Sequence, residues 1–162
     1  MSTKTEQYVI SYYELAKKAG ERFGIDPLII LSQGAFESAW GTSTLSQKHH
    51  NFFGITAAGK TNEFWKGASV KANPTYNLVF RVYPSAQDSF YDFARLIATS
   101  YKSAKAAGAD YKLYAQRISQ SAYISEKNGD DRKSYMNGII SIYENILSIA
   151  KKKVFLPDHP LA

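Results

Sequence analysis

The sequence predicts a mainly α fold of the α+β class, in which one small antiparallel β-lobe is inserted between the second and third helices. Apolar residues recur at helical spacing near both ends of the chain, whereas residues 41–85 are rich in glycine, threonine, asparagine and aromatic residues. With 162 residues and 44% hydrophobic content, the chain can bury one sizeable core. We therefore expect a single domain over residues 1–153, followed by a short tail over residues 154–162.

Capping residues and apolar periodicity predict five helices. Pro27 preceded by Asp26 is typical of a helix start, and Ser85 with Asp88 has the pattern of a capping box. Gly24 and the polar loop SEKNGDD interrupt the helical pattern. The predicted helices cover residues 6–23, 27–41, 85–103, 110–121 and 131–151.

The β-lobe is predicted over about residues 52–84. The segments NFFGIT, EFWKGASVK and LVFRVY are short and rich in β-forming residues, and the turn-forming segments AAGK and NPT separate them. Such a lobe leaves a groove beside the helical body, and grooves of this kind are favoured places for binding an extended ligand.

Composition restricts the possible partners. The chain has no cysteine, which excludes disulfides and thiolate metal sites, and its net charge of +6 suits an anionic partner such as a bacterial wall. The aromatic residues are not interleaved with a Lys/Arg stripe, so we do not expect nucleic acid binding. The adjacent pair His49 and His50 cannot both face one metal from regular structure, so we expect no metal and no cofactor. We expect a monomer.

The N-terminal segment MSTKTEQYVISYYELAKKAG has no continuous apolar stretch followed by a small-residue cleavage site. The chain also has no apolar stretch long enough to span a membrane. If the target lies outside the cytoplasm, we therefore expect export by a non-classical, phage-type or dedicated secretion route, or a chain that has been trimmed.

Glu37 is an acidic residue inside the strongly apolar second helix, in the segment QGAFESAWG. Gln33, Gly34 and Gly41 share its helical face, and we interpret this face as one that stays open to a ligand. Apolar surroundings disfavour the ionised form of a carboxyl and raise its pKa, which suits a general acid that breaks a glycosidic bond. The alternative from the residues alone is a solvated glutamate or one paired with a basic side chain.

Several separated motifs resemble one family. The segment FESAWGTSTLSQKHHNFFGI resembles the pattern A-x-E-S-x-W-G-x-S-x-L-A followed by N-x-F-G-I-K. FRVYPSAQDSF resembles F-R-x-Y-x-S, and the stretch from Tyr123 through Tyr135 to Ile139 resembles the late G-Y-A-T-D-P-x-Y-x-x-x-I pattern. The family is the mannosyl-glycoprotein endo-β-N-acetylglucosaminidase-like group, glycoside hydrolase family 73. It includes autolysins and the hydrolase domain of flagellar rod-cap proteins.

The resemblance implies a lysozyme-like fold, with a helical lobe and a β-lobe on either side of a sugar-binding groove. It implies the glycan strand of peptidoglycan as substrate, cut after N-acetylglucosamine, and therefore action on the cell wall in the periplasm or outside the cell. By the same resemblance Glu37 is the catalytic acid. Tyr123 matches a tyrosine beside the groove and is a further catalytic candidate, since its phenol could hydrogen-bond the reacting sugar or water; the alternative is a core tyrosine with a satisfied hydroxyl.

One departure from the family concerns a second carboxylate. Many members carry it in the β-lobe, but the corresponding interval WKGASVKANPTYNLVFRVY has no acid, and the nearest one is Glu63. Glu63 is thus a candidate base or nucleophile. With a single acid, the substrate's own 2-acetamido group could act as nucleophile, or the enzyme could be a lytic transglycosylase or muramidase of related fold. A non-catalytic wall-binding module is the remaining alternative.

The candidate substrate-binding residues surround the expected groove. The aromatic members could stack on sugar rings or pack within the lobe, and Asn51 could contact substrate or fix the turn in which it lies. The set comprises Gln33, Asn51, Phe64, Trp65 and Tyr76.

Overall fold

The structure is a computed structural model that describes residues 2–73, 77–128 and 130–155. It confirms the predicted class, a helical body with one small antiparallel sheet. The helices are α1 (Lys4–Phe23), α2 (Pro27–Ser38), α3 (Thr44–His49), α4 (Ala86–Ser100), α5 (Lys102–Lys105), α6 (Tyr111–Ser119) and α7 (Arg132–Lys153). The strands are β1 (Ser69–Asn73) and β2 (Leu78–Arg81), and a 3-10 turn covers Glu126–Asn128.

Helix α2 is the centre of the helical body. It begins as predicted, with Pro27 in its first turn and the Asp26 carboxylate accepting a hydrogen bond of 2.7 Å from the backbone N–H of Leu28. Nearly all of its residues are buried, because it packs against both α1 and α7. A helix that is enclosed on several sides must be apolar around its circumference, which explains why the sequence of α2 is so strongly hydrophobic.

The chain leaves α2 through a tight left-handed turn. Ala39, Trp40 and Gly41 have φ angles of 51°, 57° and 75°, and left-handed geometry is disfavoured for the two non-glycine residues. The Ser38 hydroxyl supports the turn by accepting a hydrogen bond of 2.8 Å from the Gly41 N–H. Helix α2 therefore ends three residues earlier than predicted, immediately after Glu37 and Ser38.

Helix α3 was not predicted, since residues 41–85 read as an irregular β region. Ser43 caps this short helix by accepting a hydrogen bond from the Ser46 N–H. The six residues span fewer than two turns, which is too short to display helical periodicity. The third predicted helix is also divided: α4 ends at Ser100, and the separate α5 follows.

The β-lobe contains less sheet than predicted. Strands β1 and β2 are antiparallel, with Val70 opposite Phe80 and an irregularity between Lys71 and Asn73. NFFGIT contributes one isolated bridge, from Thr56 to Phe80, and the EFWK part of the predicted middle strand is a turn. Most of the β-forming residues in those segments are buried in the protein interior and do not belong to a paired strand.

A buried carboxylate joins the β-lobe to α4. Asp92 on α4 is fully buried and forms ion pairs of 2.8 Å with Arg81 and with Arg95. It also accepts hydrogen bonds from the Tyr83 hydroxyl, at 2.5 Å, and from the Asn62 amide, at 2.9 Å. Three donors from the lobe side, Asn62, Arg81 and Tyr83, thus converge on one side chain of α4, which fixes the lobe against the helical body.

No helix in residues 2–73, 77–128 or 130–155 combines the length and the apolarity needed to cross a membrane.

Candidate active site

A groove of about 400 Å³ lies between the helical body and the β-lobe. The lobe side is mostly apolar, and the polar groups lie on the helical side and on the segment that precedes α7. The lining residues are Glu37, Leu45, Phe53, Gly54, Ile55, Thr56, Leu78, Phe80, Leu96, Tyr101, Ala122, Tyr123, Ile124, Ser125 and Asp130. The groove is therefore a polar-edged cleft of the size that binds small or extended ligands.

Glu37 reaches this groove from the last turn of α2. Burial raises the pKa of Glu37 from the ordinary 4.5 to about 7, while a hydrogen bond from Tyr135 opposes the shift and the negative charge of Asp130 adds to it. Its Oε1 atom faces Gly54 of the groove, since a Cβ added to Gly54 would lie 3.6 Å from that oxygen. A carboxyl that holds its proton near neutral pH and faces a cleft can serve as a general acid.

The other oxygen of Glu37 is held by a buried chain of hydrogen bonds. The Tyr135 hydroxyl of α7 donates to Glu37 Oε2 at 2.7 Å. Gln33 Nε2 donates to the Tyr135 hydroxyl at 3.0 Å, and the Tyr114 hydroxyl of α6 donates to Gln33 Oε1 at 2.5 Å. Gln33 has no exposed surface, so it orders the residues behind the acid and does not contact substrate, contrary to our expectation.

Two further polar residues line the groove close to Glu37. The Tyr123 hydroxyl donates to the Phe53 carbonyl at 3.2 Å, and the negative charge of Glu37 helps to raise the pKa of Tyr123 above its usual value, after burial itself. Asp130 precedes α7 and accepts a hydrogen bond of 3.3 Å from the Ser125 N–H. Among the residues that the structure describes, Glu37 and Asp130 are the two carboxylates of the groove.

Sequence reasoning missed Asp130. It lies in the polar loop SEKNGDD, which is longer than the corresponding family pattern, so no motif position marked it. The signal that could have identified Asp130 is its position in the chain. The segment between α6 and the cap of α7 brings the chain back to Glu37.

Glu63, the predicted second carboxylate, is not among the groove residues. It forms an exposed ion pair of 2.6 Å with Arg22 of α1, and this pairing lowers the pKa of Glu63. The guanidinium of Arg22 also lies 4.9 Å from the centroid of the Phe64 ring. The turn that carries Glu63 is therefore fixed to α1, and the structure does not bring this acid to Glu37.

The aromatic candidates of the lobe are packed inside it. Phe64 is 5% exposed and stacks on Tyr91 at 5.1 Å, and Trp65 is 4% exposed beneath the guanidinium of Arg81 at 4.1 Å. Their faces are occupied by protein, so neither ring is available to a sugar, and that expectation is corrected. Tyr76 lies outside the described residues.

Asn51 has a structural role in place of the predicted substrate contact. It is 1% exposed, donates to the carbonyls of Ile55 and Arg81 at 3.0 Å each, and accepts from the N–H groups of Phe53 and Ile55. These four bonds use the hydrogen-bonding capacity of its amide and shape the loop that forms the groove floor.

The two glycines near Glu37 were expected to keep its helical face open, and this interpretation is wrong. A Cβ at Gly34 would lie 2.7 Å from the Tyr8 hydroxyl and 3.1 Å from the Phe53 ring. A Cβ at Gly41 would lie 3.1 Å from the Tyr8 ring. Both positions need glycine because neighbouring protein side chains, and not a ligand, pack closely against them.

The described part of the chain contains no cluster of three or more His, Cys, Asp or Glu side chains placed to hold a metal ion. The titratable side chains among the described residues that line the groove are the carboxyl groups of Glu37 and Asp130 and the phenols of Tyr101 and Tyr123.

Residues 13–148 match the family described as "Mannosyl-glycoprotein endo-beta-N-acetylglucosaminidase". The chain belongs to this family. The match covers most of the chain and includes Glu37, both strands and the residues before and within α7 that meet the acid. The glucosaminidase family is a glycoside hydrolase family, and its members act on the cell wall.

Individual relatives agree with this membership. The chain is 29% identical over 141 residues to "Peptidoglycan hydrolase FlgJ" of Pseudomonas aeruginosa, a match that covers 78% of this chain and 34% of that protein. It is 34% identical over 107 residues to the "Probable N-acetylmuramidase" of Lactococcus lactis subsp. lactis, covering 61% of this chain and 24% of that protein. The chain thus spans about a third or less of the length of these relatives.

A solved structure shares the fold over nearly the whole chain. The peptidoglycan hydrolase from Sphingomonas sp. A1 superposes with a TM-score of 0.72 and 26% identity, covering 91% of this chain and 94% of the other. The glucosaminidase fold therefore accounts for the helical body and the lobe together.

Proposed function

We propose that this glucosaminidase domain cleaves the glycan strand of peptidoglycan as an endo-β-N-acetylglucosaminidase, with Glu37 as the general acid. The observation that carries the proposal is the position of Glu37, whose Oε1 faces the groove and whose pKa burial raises to about 7. Below that pH the carboxyl donates its proton to the glycosidic oxygen as the bond breaks. A positioned general acid typically contributes a factor of about 10²–10⁴ to the rate.

The positive charge that develops on the sugar ring needs a second group. Asp130 is our candidate in place of Glu63, because it lines the same groove as Glu37 and its charge acts on that acid. A carboxylate about 5 Å from the acid acts as a nucleophile, whereas about 6.5–9.5 Å leaves room for an attacking water. The 2-acetamido group of the substrate is the alternative nucleophile, and it requires no carboxylate with a catalytic role at this position.

A muramidase is the second candidate, since one relative is named as a probable N-acetylmuramidase. The two activities differ in the glycosidic bond that is cut. Lytic transglycosylation would differ in its product, which carries an anhydro end instead of a reducing end. The site in all three cases would be the bacterial cell wall, with the +6 charge of the chain attracting the anionic wall polymer.

Digestion of purified peptidoglycan tests the function. The wild type should release fragments with reducing N-acetylglucosamine ends, identified by mass spectrometry after borohydride reduction. Reducing N-acetylmuramic acid would instead identify a muramidase, and anhydro ends a transglycosylase. Glu37→Gln should reduce solubilisation of the wall at least about 10³-fold. Full activity of Glu37→Gln in a folded protein would overturn the assignment of the acid.

Asp130→Asn tests the second group in the same assay. We expect a loss of about 10²-fold or more if Asp130 activates water or attacks the sugar. Glu21→Gln is the matched control, since Glu21 is an exposed carboxylate on α1 outside the groove. Activity of Asp130→Asn within about twofold of this control would exclude Asp130 and favour the 2-acetamido route.

A further inference from the structure

The hydrogen bonds behind Glu37 form a chain with one direction. Tyr114 donates to the oxygen of the Gln33 amide, the nitrogen of that amide donates to the Tyr135 hydroxyl, and Tyr135 donates to Glu37 Oε2. Tyr114 and Gln33 lie 81 positions apart in sequence, and Gln33 and Tyr135 lie 102 apart, so the chain joins α6, α2 and α7.

The direction of the chain follows from the amide of Gln33. An amide offers an acceptor on one side and donors on the other, whereas a tyrosine hydroxyl carries a single proton. Because Tyr114 occupies the amide oxygen, the amide nitrogen faces Tyr135. The Tyr135 hydroxyl then accepts from Gln33 and has its own proton left for Glu37.

This direction has a consequence for the carboxyl. If Oε2 accepts the proton of Tyr135, the proton that Glu37 carries below its pKa belongs on Oε1. Oε1 is the oxygen that faces Gly54 and the groove, where the substrate oxygen would lie. A proton on Oε2 would point into the protein and away from the bond to be broken.

We propose that Tyr114, Gln33 and Tyr135 act as positioning residues that keep the transferable proton of Glu37 on the oxygen facing the groove. The inference rests on the proposed function, because it takes Glu37 as the acid. Burial supports it: Gln33 is 0%, Tyr114 1% and Tyr135 4% exposed, so water does not compete for these hydrogen bonds. The Tyr135 ring also contacts Phe36 at 4.7 Å between centroids, which restricts its rotation.

The groups that surround Glu37 allow a clear test. Tyr135 of α7 donates to it, Asp130 before α7 adds a negative charge, and Tyr123 after α6 lies near enough to feel its charge. The lobe residues that line the groove among the described positions are uncharged. Removal of the Tyr135 hydroxyl therefore changes one stabilising contact to the carboxylate and leaves the charges in place.

The experiment measures the pKa of Glu37 directly, without substrate. Protein labelled with ¹³C-glutamate is titrated by NMR, and the Glu37 carboxyl signal is assigned from its absence in Glu37→Gln. Tyr135→Phe should raise the pKa, because the carboxylate loses a donor. Gln33→Met and Tyr114→Phe should raise it by less. If Glu37 instead donated to Tyr135, Tyr135→Phe would lower the pKa, and that result would overturn the proposal, as would an unchanged pKa.

Tyr111→Phe is the matched control for loss of a hydroxyl. Tyr111 donates to Glu144 at 2.7 Å, the same length as the bond between Tyr135 and Glu37, but on the protein surface. Tyr111→Phe should leave the pKa of Glu37 and the digestion rate unchanged. The Tyr114→Phe variant keeps its ring, so it provides a second test if Gln33→Met does not fold.

Digestion of peptidoglycan across pH supplies the second readout. Tyr135→Phe should lower the rate about 10-fold or more through misplacement of the proton, while the alkaline limb of the pH profile moves upward with the pKa of Glu37. A lower rate with an unmoved limb would indicate a purely structural role and contradict the proposal. If the wild type and all variants fail to digest the wall while the NMR shifts occur, the proposed function fails and the hydrogen-bond direction stands.

Discussion

Two carboxylates, Glu37 on α2 and Asp92 on α4, have contrasting surroundings: Glu37 is half-buried, whereas Asp92 is fully buried. Asp92 receives four donors, two of them guanidinium groups, and joins the β-lobe to α4. Glu37 receives one neutral donor, from Tyr135, and faces a groove. The two carboxyl groups thus differ in the number and the charge of their donors. Two guanidinium donors make Asp92 an ionic anchor, whereas Glu37, our proposed acid, has a single neutral donor.

The anchor should be the more sensitive of the two to a change in charge. Asp92→Asn leaves the guanidinium groups of Arg81 and Arg95 without their anion and turns an amide toward one of them. Breaking a buried ion pair by removing one partner costs about 3–5 kcal/mol, so we expect the free energy of unfolding in urea to fall by that amount. Tyr83→Phe, which removes one neutral donor to this carboxylate, should cost less, about 1.5–3 kcal/mol. Equal losses in the two variants would contradict the role of Asp92 as an ionic anchor.

Glu37 should show a smaller effect on stability than Asp92. At high pH the effect should also have the opposite sign, since Glu37→Gln should then raise the free energy of unfolding relative to wild type. Its folded pKa of about 7 exceeds the ordinary 4.5, so the folded state holds the proton more tightly. The associated stability is present below about pH 4.5, is lost as pH rises to about 7, and stays lost above that. Relative to Glu37→Gln, the wild type should therefore lose about 2–3 kcal/mol of unfolding free energy between pH 4.5 and 8.

Urea denaturation at several pH values checks this prediction, with the difference between wild type and Glu37→Gln as the measured quantity. All other titrating groups are shared by the two proteins and cancel in the difference. A difference that does not depend on pH would show that Glu37 is not held protonated by its surroundings.

The exposed pair of Glu63 and Arg22 should show the smallest effect. Solvent screens surface ion pairs, so Glu63→Gln should leave the urea midpoint unchanged within error and the digestion rate within about twofold of wild type. A large loss of activity in this variant would return Glu63 to the mechanism and contradict the placement found in the structure.

Local signals in the sequence predicted much of the fold. Asp26 and Ser85 act as helix caps, a role that depends on a few neighbouring residues and can be recognised without the structure. Glu37 could be identified because an acid in an apolar helix is unusual and because a motif surrounds it. The left-handed end of α2 was not visible, since Ala39 and Trp40 are poor candidates for that geometry.

The surroundings of the acid could not be predicted from sequence. Gln33 shares a helical face with Glu37, which suggested a ligand contact, but Tyr114 and Tyr135 approach that face from distant parts of the chain. Trp65 was expected to contact a sugar, but the guanidinium of Arg81 covers its ring. In each case the role of the residue depends on a contact with a residue far away in the sequence. The pattern of a single sequence does not show such contacts.

The abrupt end of α2 has an electrostatic consequence for the acid. The peptide dipoles of a helix add up to about half a negative charge at its C-terminal end. Because the turn at Ala39 ends the helix at Ser38, one residue after Glu37, this acid lies in the final turn, at the negative pole. The backbone itself thus opposes ionisation of the carboxyl. A substitution that allowed α2 to continue would move this pole along the chain and weaken its effect on the acid.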